Sequence, residues 1–278
     1  MTGGGILTTT ALVKPWGRSN LPAVFASPVN EPVGEIWFER PQPLSDILAK
    51  YLFTEERLSV QVHPTAENSP TGIGKDECWL VTEVEPGARL AVGFQAPVDA
   101  DAIRRGALDG SIMQMLEWID VKVNDFIYVP AGTVHSMGAG LTLIEIQQNT
   151  DITHRLYDYG RGRPLNLDEA MASIRRNPHP TEFRRRIDPT GEQILVEGPH
   201  FLLAQCTGNP SRDLQARLRG AVQVLPIDGS CSIDGAQIEP GAAGWADCPE
   251  RIDFSHNLRC LLIANPSPLF QNPSASEY

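Results

Sequence analysis

The chain has 278 residues, of which 41% are hydrophobic and 21% charged, and it carries a formal charge of −11. That length can bury a substantial core in one large or two small domains, and the acidic balance excludes a nucleic-acid surface, which needs clustered excess Lys and Arg. The 23 prolines and 24 glycines, set among many short apolar runs, favour a β-rich fold with frequent turns.

Residues 11–40 read as an arm of short strands broken by prolines at 15, 22, 28 and 32. The next stretch, 44–53, is ambiguous in period. Leu44, Ile47, Leu48 and Tyr51 fit helical spacing, while residues 51–54 have strand character. Residues 58–63, 77–85 and 90–94 read as strands, the first two joined by a polar Gly-rich hairpin over 64–74. Residues 99–118 change period: Asp101 can cap a first short helix, and Ile112, Met115 and Leu116 form an apolar stripe on a second. This is a small helical insertion covering one end of a β domain. Strands resume at 120–123, 126–130 and 141–147. Residues 167–177 read as a helix with Leu167, Met171 and Ile174 on one face and Arg175 and Arg176 near its C-terminus, where positive charge suits the dipole. Short strands at 193–196, 201–206, 221–226 and 259–264, with turns at Asp228-Gly229 and Asp234-Gly235, describe a second, reduced β-sandwich without ligand residues. The Pro- and Ser-rich tail, 265–278, is expected to be loosely ordered.

Cysteines at 78, 206, 231, 248 and 260 form no Cys-x-x-Cys pair and are odd in number, so they are expected to be reduced and mostly buried. The first residues lack a basic region followed by an apolar one, and no apolar run approaches a membrane span. The expectation is a soluble, cytoplasmic protein with no membrane and no nucleic-acid partner.

Chemistry concentrates in Gln61-Val-His63-Pro64, Lys75-Asp-Glu77-Cys-Trp79 and Pro130-Ala-Gly-Thr-Val-His135. Residues two apart on a strand face one side, so Gln61 and His63 can reach one ion. A carboxylate at Glu77, leading the apolar run Cys78-Trp79-Leu80-Val81, is costly to bury without a metal or hydrogen-bond partner. Two nitrogen and two oxygen donors suit one zinc ion per chain, with iron(II) or manganese as weaker options. Gln61 either ligates directly or only orients water. Glu145, alternating with Ile144 and Ile146, carries a carboxylate to the side where the metal would sit, and Lys75 shares a face with Glu77.

These segments, together with Val33-Gly-Glu-Ile-Trp-Phe38, Leu58 to Pro64, Ile144 to Asn149 and His154 to Tyr159, resemble the type I phosphomannose isomerases in their short bacterial form. The resemblance covers roughly the first 165 residues, with the segments in the family's order. It implies a mainly β, cupin (jelly-roll) β-sandwich catalytic domain over 1–165. A helix plus a reduced cupin-like β domain over 166–278 would follow. It also implies a zinc-dependent isomerase interconverting mannose 6-phosphate and fructose 6-phosphate. The zinc ligands would be Gln61, His63, Glu77 and His135, and the catalytic groups Arg155, Glu145 and Lys75. Lys50, Ser59 and Arg155 would meet the phosphorylated sugar. The chain departs from the family pattern at His154, where an aromatic residue is common, and at Gly160, where an acidic one is. The second departure puts in doubt a salt bridge that would hold the Arg155 loop. Arg161 and Arg163 read as a solvated basic turn. Two other readings are an iron-dependent cupin oxygenase, which shares the two-histidine, one-carboxylate donor set, and a non-catalytic sugar-phosphate-binding cupin.

Overall fold

A computed structural model describes residues 3–25 and 31–266. In chain order its strands begin with β1 (Gly4–Ile6), β2 (Thr9–Arg18), β3 (Val33–Phe38), β4 (Ile47–Thr54), β5 (Val60–Val62), β6 (Glu77–Val84) and β7 (Arg89–Phe94). Two helices follow, α1 (Ala100–Asp109) and α2 (Ile112–Met115), then β8 (Leu116–Asp120), β9 (Asp125–Val129), β10 (His135–Met137), β11 (Leu141–Gln148), β12 (His154–Tyr157) and α3 (Leu167–Ser173). The last part holds β13 (Arg184–Arg186), β14 (Gln193–Glu197), β15 (Leu202–Cys206), α4 (Arg212–Arg217), β16 (Val222–Gly229), β17 (Cys231–Ile233), β18 (Ala236–Ile238), β19 (Gly244–Ala246), β20 (Ile252–Asp253) and β21 (Asn257–Ala264).

These strands form four antiparallel sheets stacked as layers. A seven-stranded sheet, β13-β9-β6-β11-β4-β3-β2, faces a five-stranded sheet, β12-β5-β10-β7-β8. Between them Leu52, Trp79, Val81 and Leu143 pack on Leu90, Val92 and Met137. On the far side of the five-stranded sheet, Ile103, Ala107 and Ile112 of the helical insertion and Ala170 of α3 cover Val60, Val62 and Phe94. The outer face of the seven-stranded sheet (Phe38, Tyr51, Phe53, Ile144) packs on Leu203, Leu225 and Ile263 of a six-stranded sheet, β1-β19-β16-β21-β15-β14. That sheet in turn covers a three-stranded one, β18-β17-β20, across Leu202, Val224, Leu262 and Ile233. The central strands β4, β11, β15 and β21 are buried on both faces, which is why they are apolar at most positions of both parities.

Several local readings are corrected. The helix α1 is capped by Asp99, whose carboxylate accepts from the Ala102 N–H at 2.8 Å, and not by Asp101. The insertion ends earlier than its period suggests, because 116–120 is β8, paired with β7 through Leu90↔Ile119. Helix α3 stops at Ser173, so Arg175 and Arg176 lie beyond its last turn. The ambiguous stretch 44–53 resolves as a short 3₁₀ turn at Gln42–Leu44 followed by β4, buried along its whole length between two layers. Residues 64–74 do not make a hairpin: they carry the chain from β5 in one sheet to β6 in the other. Asp234-Gly235 is the turn expected, with φ of +51° and +81°. Asp228-Gly229 is instead an irregularity inside β16, where the pairing with β21 shifts register. Neither β1, which crosses to the six-stranded sheet, nor α4 is visible in the sequence pattern. The tail reading, 265–278, falls almost wholly outside the described residues. All five cysteines are free, and four are buried.

Candidate metal centre and active site

The two sheets of the first sandwich each present one polar row to the space between them. On the five-stranded sheet, Arg155 pairs with Gln61, and Gln61 with His135, so three neighbouring strands place these side chains side by side. His63 follows β5 directly, two residues from Gln61 and on its face. On the seven-stranded sheet, Trp37, Lys50, Glu145 and Trp79 form one cross-strand row. Glu77 lies two residues before Trp79, on the same face.

His63 Nδ1 donates to the Ile152 carbonyl and His135 Nδ1 to the Thr133 carbonyl, each at 2.9 Å. A carbonyl only accepts, so both imidazoles carry the proton on Nδ1 and turn the Nε2 lone pair inward. There Nε2 of His63 lies 3.4 Å from Glu77 Oε2, and Nε2 of His135 lies 3.4 Å from Glu77 Oε1. Donor atoms of the three residues lie within 4.8 Å of one another, all buried. Two lone pairs converging on a carboxylate repel unless a cation sits among them, and Glu77 Oε1 has no hydrogen-bond donor among the described residues. Among the described residues the only cation in contact is Lys75, whose Nζ is 3.0 Å from His63 Nε2 and 2.9 Å from Glu77 Oε2. This donor set fits a small divalent ion. Gln61 presents its amide to the same point. Its nitrogen donates to His135 Nε2 at 3.1 Å and its oxygen accepts from Ser59 Oγ at 3.1 Å, so direct ligation requires a half-turn of the amide. The Trp79 ring stands edge-on to His135, centroids 5.2 Å apart, and limits its rotation.

Electrostatics favour the ligating forms. Burial, reinforced by Lys75, pushes the His63 imidazole well below the usual histidine range, and burial lowers His135 against the pull of Glu77. Both are therefore neutral and able to bind a metal. Burial raises the carboxyl of Glu77, but the Lys75 ammonium beside it outweighs this and keeps the group ionised. Away from this centre runs a buried ladder of alternating charge. Lys75 Nζ is 3.7 Å from Glu145, Lys50 Nζ is 3.0 Å from Glu145 and 3.4 Å from Glu35, and Lys14 Nζ is 3.3 Å from Glu35. Burial and the neighbouring Glu77 hold the Glu145 carboxyl above the usual carboxylate range, against Lys50 and Lys75.

Every site residue read from the sequence except His63 lines one pocket: Gln61, Glu77, His135, Lys75, Glu145, Lys50, Ser59 and Arg155. His63 reaches it only through its Nε2 contacts. Arg155 is half-buried, its Nε has no hydrogen-bond partner among the described residues, and its backbone is clamped on both sides by Asn166 at 3.3 and 2.9 Å. Lys14, Glu35 and Arg163 also line the pocket and were not read from the sequence. Arg163 is not a solvated turn residue. Its guanidinium forks onto Asp158 at 2.7 and 2.5 Å, so Asp158 ties down the loop after Arg155 where Gly160 offers no carboxylate. His154 points to the helix-covered face of its strand, opposite Val62, and packs there.

Comparisons with known proteins bear out the resemblance to phosphomannose isomerases. No family model matches the chain. Over 185 residues it is 40% identical to the mannose-6-phosphate isomerase ManA of Bacillus subtilis, covering 61% of this chain and 58% of that protein. It is 33% identical to the mannose-6-phosphate isomerase of Streptococcus mutans over 166 residues, 56% of this chain and 52% of that protein. The chain thus spans little more than half the length of these curated relatives. The fold is shared more widely. The crystal structure of mannose 6-phosphate isomerase from Bacillus subtilis superimposes with a TM-score of 0.75 at 21% identity, over 93% of this chain and 98% of that one. A zinc-bound mannose 6-phosphate isomerase gives 0.71 at 13% identity, over 95% and 99%.

Proposed function

We propose that the chain is a zinc-dependent aldose–ketose isomerase interconverting mannose 6-phosphate and fructose 6-phosphate, with one zinc per chain. The observation that carries this reading is the convergence of His63, Glu77 and His135 beside a pocket that also holds Lys75, Glu145 and Arg155. Relatives and structural neighbours named for this reaction support it, one of them zinc-bound.

His63, Glu77 and His135, with Gln61 after its amide turns, would hold the zinc, which would supply Lewis acidity to the bound sugar. The chain's own groups do the rest. Isomerisation removes a proton from C2, beside the carbonyl, and returns one to C1 through an enediolate, while the hydroxyl proton on the C2 oxygen is passed to the C1 oxygen, so that no proton is gained or lost. Glu145, buried and held above the carboxylate range, is suited to take and return that proton near neutral pH. Lys75, between Glu77 and Glu145, is placed to donate a hydrogen bond to a sugar oxygen. Arg155 offers a planar fork to the developing oxyanion. Lys14, Lys50 and Arg163 make the pocket locally basic inside an acidic protein, which a dianionic sugar phosphate requires. Ser59 orients the Gln61 amide as well as bordering the substrate. In this reading residues 1–165 carry every named catalytic group, while 166–278 add α3 over the five-stranded sheet, the edge strand β13 and the layers that back the seven-stranded sheet. Among the described residues no helix is long and apolar enough to cross a membrane. A phosphorylated sugar, which does not cross membranes unaided, fits a cytoplasmic enzyme.

The test is conversion of mannose 6-phosphate to fructose 6-phosphate by purified protein, abolished by a chelator and restored by zinc, with dissolved oxygen followed in parallel. His135→Ala should lose both metal and turnover. Oxygen uptake without ketose formation would favour the iron oxygenase, and undiminished zinc in His135→Ala would remove that residue from the ligand set.

A further inference from the structure

Glu35 and Trp37 take no part in metal binding or proton transfer, yet Glu35 lines the pocket and Trp37 donates to Glu35 from the same strand. Glu35 is a carboxylate only 7% exposed, a position that is costly for a charge unless every lone pair finds a partner. Its partners are fully assigned. Oε1 meets Lys14 at 3.3 Å, and Oε2 accepts the Trp37 indole N–H at 2.5 Å and lies 3.4 Å from Lys50 Nζ. A carboxylate so occupied has nothing left for an anionic substrate, which would in any case repel it. Stability alone is also a poor account, because a buried ion pair seldom outperforms apolar residues of the same volume.

The sheet register shows what the arrangement does. Lys50 stands directly between Trp37 on one neighbouring strand and Glu145 on the other. Glu35 is two residues back on the Trp37 strand, so it reaches Lys50 diagonally. Four methylenes leave a lysine head group free to wander. Here it is stopped on three sides, by Glu145 at 3.0 Å, by Glu35, and by the Trp37 ring, whose centroid is 5.6 Å away. Burial works against the charge on Glu35, but Lys50, Lys14 and the indole hold its carboxyl down at about 2, so the fixing charge persists at any working pH.

We infer that Glu35, itself fixed by Trp37, is a positioning residue that keeps the Lys50 ammonium on Glu145 and so sets the direction of that carboxylate. The inference rests on Glu145 carrying the substrate proton, as in the function proposed above. Lys50 is then a partner of the base more than a ligand of the phosphate.

The experiment compares zinc-loaded, full-length wild type, Glu35→Gln, Lys50→Met, the double variant and Trp37→Phe with mannose 6-phosphate. Glu35→Gln should lower kcat by about 10- to 100-fold, a fraction of what a positioned general base contributes, with KM changed less than about 3-fold and zinc content unchanged. Because Glu35 acts through Lys50, the double variant should be no slower than Lys50→Met alone. Multiplying losses, or a raised KM with intact kcat, would overturn the inference. If Glu35→Gln does not fold, Trp37→Phe decides, since it removes one donor and keeps the packing: a smaller fall in kcat at constant KM is expected, and unchanged kcat overturns the proposal. Wild type that binds zinc without isomerising would instead sink the isomerase reading. The positioning contact is then read from the ¹⁵N resonance of the Lys50 ammonium. Protection in wild type that is lost in Glu35→Gln upholds it, and protection that persists refutes it.

Discussion

Arg155 is the residue whose role separates chemistry from binding most cleanly. It stands beside Gln61 in the cross-strand row, so it is aimed at the metal side of the pocket, yet no donor atom of the metal cluster depends on it. Arg155→Ala should keep zinc and the fold while turnover falls by about two to three orders of magnitude, the scale of losing a preorganised charge donor. Arg155→Lys should restore little, because it lacks the fork. Steady-state kinetics beside zinc content checks this, and full turnover with a raised KM would make Arg155 a phosphate anchor only. The four candidate ligands, with Lys75 and Glu145, were legible in the sequence because each lies in a short segment with its own turn or alternation. Lys14, Glu35 and Arg163 were not. Their place in the pocket depends on which strand lies beside which: Glu35 reaches Lys50, fifteen positions away, only through the β3–β4 pairing. Arg163 reads as solvated until Asp158 is seen to fold the loop back.

At the scale of elements, strand positions were legible and partners were not. Apolar runs located β5, β6, β7, β9, β11, β14, β15 and β21 within two residues, because strands buried on both faces are mostly apolar, whereas the short strands β10, β12, β13 and β17–β20 carry too few residues to show a pattern. Which sheet each joins is a long-range choice, so the crossing at 64–74 looked like a hairpin. Asp99 and Asp101 are two apart and either can cap a helix. Only the hydrogen bond to Ala102 identifies the first. Gly229 shows why Asp-Gly misled. Its φ is +69°, as in a turn, but it lies inside β16, where an added Cβ would come within 2.3 Å of the His256 carbonyl oxygen and 2.6 Å of the Leu258 nitrogen. Gly229→Ala should therefore destabilise the protein by at least about 1–3 kcal/mol. Chemical denaturation checks this, and an unchanged midpoint would mean that the bulge relaxes freely.

Across the whole molecule, the first sandwich is closed at one edge by a clamp that titrates. His179 Nε2 donates to the Tyr128 carbonyl, its Nδ1 accepts from Arg184 Nε at 2.9 Å, and Arg184 reaches Glu117 on the opposite sheet at 2.9 and 2.7 Å. Burial, with the facing Arg184 guanidinium and against the Tyr128 hydrogen bond, lowers the imidazole to about 4. The unfolded chain binds this proton near 6.5, so between those values it holds more protons than the native state. The contribution of His179 is complete above pH 6.5 and is lost as pH falls toward 4. Wild type should lose about 2 kcal/mol more than His179→Gln over that window; parallel stability curves would show that the clamp does not titrate. The same two sheets, held in this register, bring Gln61, His63 and His135 opposite Glu77 and Glu145, and on that juxtaposition the functional account depends. Its most direct test is proton NMR of mannose 6-phosphate incubated with protein carrying one zinc per chain. The account predicts that fructose 6-phosphate signals grow to an equilibrium mixture. Fully zinc-loaded, folded protein that leaves mannose 6-phosphate unchanged would contradict it.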